Sequence, residues 1–323
     1  MHAKTKIGIV GTGRMGALHL SKFISLPMAE LVGFYEPHLE RAKEISNKLS
    51  IKAFSTLEEL VFNIDGLVIA SPTSTHFSIA KMALSQGCHV LIEKPFCETI
   101  DEANELDVLA QEKQLICQVG FLERFRFESL MGHQTVPKTA KIHATRFSTV
   151  VGREESVDVV SDLMIHDLDL VLSIAQEEPT KISAVGFPVV TNYLDFATAT
   201  LEFASGMIAE LSASRVSSVQ KRGFQIVSPG YSCELDFVAN TKFSVARLGG
   251  GKHFMSPTSF DALTLQSLNF IEAIQGKAPA KIVAGDGKRV IAVVEKIRTT
   301  ILGDHRNLIK PIVQESSLPI REH

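Results

Sequence analysis

The chain has 323 residues, of which 45% are hydrophobic and 21% charged, with a formal net charge of −3. That is soluble globular composition with length for two domains, and a near-neutral balance gives no electrostatic footprint for nucleic acid. No run of about 18 apolar residues offers a membrane span, the N-terminus enters a strand-like run too early for a secretory leader, and Cys88, Cys97, Cys117 and Cys233 have no zinc spacing, so a cytoplasmic protein with buried thiols and no metal is expected.

Lys6 to Val10 reads as a short buried strand that runs into Gly11-Thr12-Gly13-Arg14-Met15-Gly16 and then a helical pattern from Ala17 to Leu26. This is the G-x-G-x-x-G turn between strand and helix. Gly11 allows the tight turn, Gly13 lets backbone amides approach a pyrophosphate at the helix N-terminus, and Gly16 lets the helix pack close to the strand. A second strand, Leu31 to Tyr35, ends in Glu36, where a carboxylate can accept a hydrogen bond from a ribose 2′-hydroxyl and repel a 2′-phosphate. The spacing therefore predicts a nicotinamide dinucleotide, NAD rather than NADP, with Arg41 as the nearby residue that would instead attract a phosphate.

Strand and helix continue to alternate: helices over Glu40–Leu49, Leu57–Phe62, His76–Gln86 and Ile100–Gln114, and strands over Gly66–Ala70, His89–Ile92 and Leu115–Val119. The pattern predicts a doubly wound parallel sheet over residues 1–120. Ligands bind such sheets at the carboxyl ends of the strands, so Ser71, Thr73 and His76 after one strand, and Glu93 and Lys94 after another, are cofactor candidates. For His76 a role at the helix start or on the surface is an equal alternative, and Lys94 is either a solvated lysine or an ammonium positioned beside Pro95.

After Gly120 the pattern changes to strands over Ala140–Val150, Lys181–Val190, Ala197–Phe203, Met207–Ala213, Phe224–Val227, Cys233–Phe237 and Lys242–Arg247, with a hairpin turn at Ala204-Ser205-Gly206. Helical patterns follow over Phe260–Gln275 and Asp286–Leu302. Residues 121–323 are thus expected to form an α+β domain with a large, mainly antiparallel sheet. A sheet face without helices predicts a homo-oligomer, dimer or tetramer. Within this half the run Val159 to Ala175 is apolar almost throughout, but Asp162, His166, Asp169 and Ser173 interrupt it at spacings of four, three and four. At about 100° per residue these fall on one stripe of a helix. The stripe either faces water, with Ser161 or Asp162 capping the helix, or lines a site.

The joint order of GTGRMG, Glu93-Lys94-Pro95 and Asp162-x-x-x-His166 resembles the glucose-fructose oxidoreductase and inositol dehydrogenase family over essentially the whole chain. The resemblance implies that Lys94 hydrogen-bonds the reacting hydroxyl, that His166 is the acid/base, and that Asp162 orients substrate and histidine. Gly120-Phe121-Leu122-Glu123-Arg124-Phe125 and the run from Asp158 to Leu170 are similar to the bacterial UDP-N-acetylglucosamine 3-dehydrogenase subgroup, although Arg126 and Phe127 replace the Asn-Pro that tends to follow there. For a sugar diphosphate, Arg124, Arg153 and Arg215 are the candidate phosphate contacts, with Lys221 and Arg222 beside Arg215. An inositol or free-aldose dehydrogenase, and a dinucleotide-binding sensor without catalysis, are the alternatives.

Overall fold

The computed structural model describes residues 4–132, 134–149, 157–246, 251–255 and 260–305. Five strands, β1 (Thr5–Val10), β2 (Ala29–Tyr35), β3 (Gly66–Ile69), β4 (His89–Ile92) and β5 (Cys117–Val119), form an all-parallel sheet in the order β2-β1-β3-β4-β5. The helices α1 (Arg14–Ser25), α2 (Leu39–Leu49), α3 (Leu57–Phe62), α4 (His76–Ser85) and α5 (Ile100–Lys113) lie between these strands in sequence. The central strands are buried on both faces, which is why they read as continuous apolar runs. Local chemistry sets the helix starts: Thr99 and Glu102 close a capping box on α5, and Thr56 accepts from the Glu59 amide on α3. By contrast, α1 begins at Gly13 with no side-chain cap.

A short helix, α6 (Glu123–Met131), leads to an eight-stranded sheet ordered β13-β12-β11-β10-β6-β9-β8-β7. Its strands are β6 (Lys141–Phe147), β7 (Pro179–Phe187), β8 (Phe196–Phe203), β9 (Ile208–Ser214), β10 (Lys221–Ser228), β11 (Tyr231–Asp236), β12 (Thr241–Ala246) and β13 (Gly251–Met255). All neighbours are antiparallel except β6 and β9. Strict alternation along β8 buries Ala197, Ala199, Leu201 and Phe203 and leaves Thr198, Thr200 and Glu202 half-exposed on the other face. The buried face packs on α7 (Ile165–Ala175) and α9 (Ala284–His305), while Val185, Phe187, Phe243 and Phe254 are exposed.

The remaining helix, α8 (Ala262–Ile274), returns to the first sheet. Its Phe270 and Ile271 share a core with Ile7, Leu20, Phe23 and Phe34, and the Val119 amide donates to the Ile282 carbonyl at 3.0 Å. The C-terminal chain therefore braces the parallel sheet as well as the second one. The predicted hairpin is present, with Gly206 at φ 91° and Phe203 bonded to Met207. β7 ends before the predicted Val190 because the buried Asp195 carboxylate takes the amides of Val189, Val190 and Thr191 at 2.7–2.8 Å, curling the chain out of the ladder. β13, which follows a glycine run, was not predicted. Val150 and Arg247, the predicted ends of two strands, and Arg153 lie outside the described residues. No helix among the described residues is long and apolar enough to cross a membrane.

Candidate active site

A cleft of about 800 Å³ opens at the carboxyl ends of β1, β2 and β3, lined by Gly11, Thr12, Gly13, Glu36, Arg41, Ser71 and Thr75 among others. Gly11 has φ +80°, and a Cβ there would lie 2.7 Å from the Ser71 backbone, while a Cβ on Gly16 would overlap the Gly11 carbonyl. Gly13 meets nothing within 4 Å, so the backbone lies open over the uncapped start of α1. First-turn amides with no internal partner, beside open space, suit a pyrophosphate. Glu36 accepts from the Thr12 hydroxyl at 2.6 Å and from the Thr12 and His38 amides, and Arg41 donates to the Thr12 carbonyl at 2.8 Å. Burial opposes the Glu36 charge, but these hydrogen bonds and the Arg41 guanidinium hold its carboxyl below the usual range. A fixed carboxylate at the end of β2 fits a ribose diol.

Glu93 and Lys94 follow β4. The Glu93 carboxylate is buried against His19 of α1, 2.7 Å from Nε2, so it ties the loop to the helix under the cleft. Lys94 reaches the other way. Its Nζ donates to the Asp162 carboxylate at 2.9 Å and to the Asp162 carbonyl at 3.1 Å, joining the first sheet's edge to the second domain. Lys94 is thus a positioned ammonium, not a solvated one. His76 is buried, with its ring nitrogens 2.9 Å from the Pro95 and Ser71 carbonyls. It pins the two loops together, and neither His76 nor Thr73 lines the cleft; Thr75, Ser78 and Ile79 do. Arg14 and Met15 also stay outside the lining, with the Arg14 side chain exposed.

The polar stripe of the 159–175 run does not face water. Asp158, not Ser161 or Asp162, caps the start, accepting from the Val160 and Ser161 amides at 3.0 and 2.9 Å. The first turn, Val160–Met164, is a π-helix, whose i→i+5 spacing departs from the α-helical stripe assumed from sequence. It delivers Asp162 to Lys94. His166, in the first turn of α7, has Nδ1 2.9 Å from Glu123 Oε2 of α6, a close polar contact without hydrogen-bond alignment. The carboxylate set against His166 is therefore Glu123, where Asp162 was expected. Glu123 is in turn held by Arg146 of β6 at 3.0 Å, and Arg146 forks onto Asp167 at 3.0 and 2.8 Å. Burial pushes the His166 pKa down more strongly than Glu123 raises it, with Arg146 and Lys94 adding to the fall. Burial also opposes the Glu123 charge, but His166 and Arg146 hold that carboxyl well below the ordinary range.

Two of the three expected phosphate contacts have other partners. Arg124 forks onto the fully buried Asp169 at 2.6–3.1 Å, pairs with Asp286 at 3.1 Å and donates to the Lys281 carbonyl. It fastens α6 to α7 and α9, because a buried Asp169 requires a counter-charge. Arg215 donates to the Val157 carbonyl and lies 3.7 Å from Asp195. Arg153 is outside the described residues. Sequence reasoning did not assign a role to Glu123, Arg146, Asp167 or His19. Only Glu123 carried a signal, its place in the Gly120–Phe125 stretch.

This fold, with a glycine-rich dinucleotide cleft and a lysine and histidine brought together from two domains, defines a dehydrogenase acting on CH–OH groups. Residues 5–121 match the model of an oxidoreductase family described as an NAD-binding Rossmann fold, and residues 130–230 match the GFO/IDH/MocA C-terminal domain. The chain is 32% identical over 313 residues to UDP-N-acetylglucosamine 3-dehydrogenase of Acidithiobacillus ferrooxidans, covering 93% of this chain and 98% of that protein. It is 28% identical over 236 residues to scyllo-inositol 2-dehydrogenase (NAD(+)) of Bacillus subtilis, covering 67% and 69%. A solved structure of the Acidithiobacillus ferrooxidans protein superposes with a TM-score of 0.87 at 31% identity, covering 94% of this chain and 99% of that one. A dehydrogenase from Clostridium difficile at 23% identity and TM-score 0.79 shares the fold. The chain belongs to the GFO/IDH/MocA oxidoreductase family, and its cofactor is a nicotinamide dinucleotide.

Proposed function

We propose that this chain is an NAD-dependent dehydrogenase that oxidises a secondary hydroxyl of a nucleotide sugar, with the 3-hydroxyl of UDP-N-acetylglucosamine as the leading substrate. The observation that carries the reaction is that Lys94, in the loop after β4, bonds to Asp162 of the second domain close enough to His166 for its charge to act on that imidazole. With Nδ1 against Glu123, the His166 proton sits on Nδ1 and Nε2 is left to accept the hydroxyl proton. Lys94, held by Asp162, places an ammonium where alkoxide charge develops. NAD, when bound, takes the hydride.

Residues 1–120 hold the cofactor, and residues 121–323 supply the substrate pocket. The Glu36 carboxylate favours NAD over NADP. The nucleotide-sugar reading is supported by the 32% identity to UDP-N-acetylglucosamine 3-dehydrogenase over nearly the full length of both chains. The exposed Val185, Phe187, Phe243 and Phe254 on the outer strands favour a homo-oligomer. Incubation with NAD and UDP-N-acetylglucosamine, followed by NMR of the product, tests the assignment. A carbonyl carbon at C3 is expected, and a ketone at another carbon overturns the regiochemistry.

A further inference from the structure

Arg146 on β6 and Arg222 on β10 stand directly opposite each other in the antiparallel ladder. Alternation puts both on the inner face, in the row continued by Ala144 with Phe224 and Ile142 with Ile226. Like charges opposite each other in a sheet are unfavourable unless something neutralises them. Arg146 is neutralised by Glu123 and Asp167. Arg222 is half-buried, and no described side chain hydrogen-bonds to it or pairs with it. A third guanidinium, Arg126, lies one turn beyond Glu123 on α6. It donates through Nη1 to the Phe237 carbonyl at 2.9 Å, and its Nε is buried with no partner. The Phe237 amide in turn donates to the Arg222 carbonyl at 2.8 Å, which places the two arginines at the same corner of the sheet. Three guanidiniums thus meet two carboxylates beside His166, and the corner carries one positive charge in excess.

We propose that Arg126 and Arg222 form an oxyanion subsite of the substrate pocket and take the diphosphate of the sugar nucleotide. The proposal rests on the substrate reading above, and it moves the phosphate contact from Arg124 and Arg215 to a pair whose guanidinium donors are not consumed by carboxylates. Two planar forks approaching from a helix and a strand match the two phosphoryl groups of a diphosphate. Burial and the facing Arg146, with Arg126 adding to the effect, push the Arg222 pKa down, as expected of a cation whose counter-charge comes from a ligand.

The test uses the full chain with NADH bound and titrates UDP, inorganic pyrophosphate and glucuronate by calorimetry, for the native protein and for R126Q, R222Q and R222K. UDP and pyrophosphate are expected to bind, each glutamine substitution weakening both by about 10- to 100-fold, with R222K intermediate. NADH affinity should stay unchanged, and R222Q should melt no lower than the native protein because it removes an uncompensated charge. Unchanged UDP affinity in both glutamine variants overturns the subsite while leaving oxidation of a nucleotide sugar standing. Arginine-dependent pyrophosphate binding by a protein that oxidises no nucleotide sugar upholds the subsite and removes the substrate reading. Arginine-dependent binding of glucuronate but not pyrophosphate, or a fall in melting temperature in R222Q with a parallel loss of NADH binding, overturns the proposal.

Discussion

Glu123 Oε2 and His166 Nδ1 stand 2.9 Å apart, one on α6 and the other on α7, inside a charge cluster closed by Arg146 and Asp167. In the proposed mechanism this contact keeps the imidazole proton on Nδ1 and leaves Nε2 for the substrate. In the proposed mechanism Glu123 acts through His166 as a positioning residue, while His166 and Lys94 meet the reacting oxygen.

Because burial pushes the His166 pKa below its ordinary value of about 6.5, the basic imidazole persists into mildly acidic solution. The acid limb of kcat/KM for alcohol oxidation is therefore expected below pH 6.5. Glu123 raises the His166 pKa, so Glu123→Gln should move the limb to still lower pH. Steady-state profiles between pH 5 and 9 check both statements, and a limb moving upward in the variant contradicts the assigned pairing.

Lys94→Ala and His166→Ala should each lower kcat by roughly 10²-fold or more, with NADH affinity little changed. Asp162→Asn retains a carbonyl acceptor for Lys94 but loses the charge, so a smaller loss is expected. Stopped-flow measurement of NADH formation separates the chemical step from binding.

The Arg124–Asp169 contact predicts a stability effect instead. Removing one partner of a buried pair costs about 3–5 kcal/mol, which for a chain of this size lowers the melting temperature by roughly 5 °C in Arg124→Ala. Burial pushes the Asp169 carboxyl up to about 7 even with Arg124 against it. A carboxyl with a raised folded-state pKa binds more protons folded than unfolded, so its contribution falls as pH rises from about 4 through the folded value. The loss in Arg124→Ala should accordingly be larger at pH 8 than at pH 6, as read by calorimetric melting.

At the cofactor end, the Glu36 carboxylate is held ionised by Thr12 and His38 where a 2′-phosphate would sit. NAD is expected to bind at least about 10-fold more tightly than NADP, and Glu36→Gln should narrow the gap. Isothermal titration of both dinucleotides measures it. Equal or tighter binding of NADP would transfer control to Arg41.

The parallel sheet, the glycine turn and the Glu36 and Lys94 positions were legible because each is a local pattern: a strand, a turn residue, a spacing. The antiparallel domain was legible strand by strand through alternation, as in β8, while β13 behind its glycines gave no such signal. Asp162, His166, Asp169 and Ser173 were visible as polar breaks in an apolar run, but their partners were not. Glu123 and Arg146 come from segments remote from His166 in sequence, and nothing local marks Glu123 as its neighbour rather than Asp162. The π turn that carries Asp162 to Lys94 has no local mark in the sequence. Arg124 and Arg126 look alike in the sequence, and only the fold shows that Arg124 forks onto the buried Asp169 while Arg126 bonds to the Phe237 carbonyl.

The substrate class is the central claim, and initial rates of NADH formation with UDP-N-acetylglucosamine and with myo-inositol, each with and without added UDP, test it most directly. The account predicts a kcat/KM for the UDP-sugar at least about 10²-fold above that for myo-inositol, and competitive inhibition by UDP, because charge-assisted contacts to a diphosphate are absent from a neutral cyclitol. Efficient turnover of myo-inositol with no inhibition by UDP would contradict it.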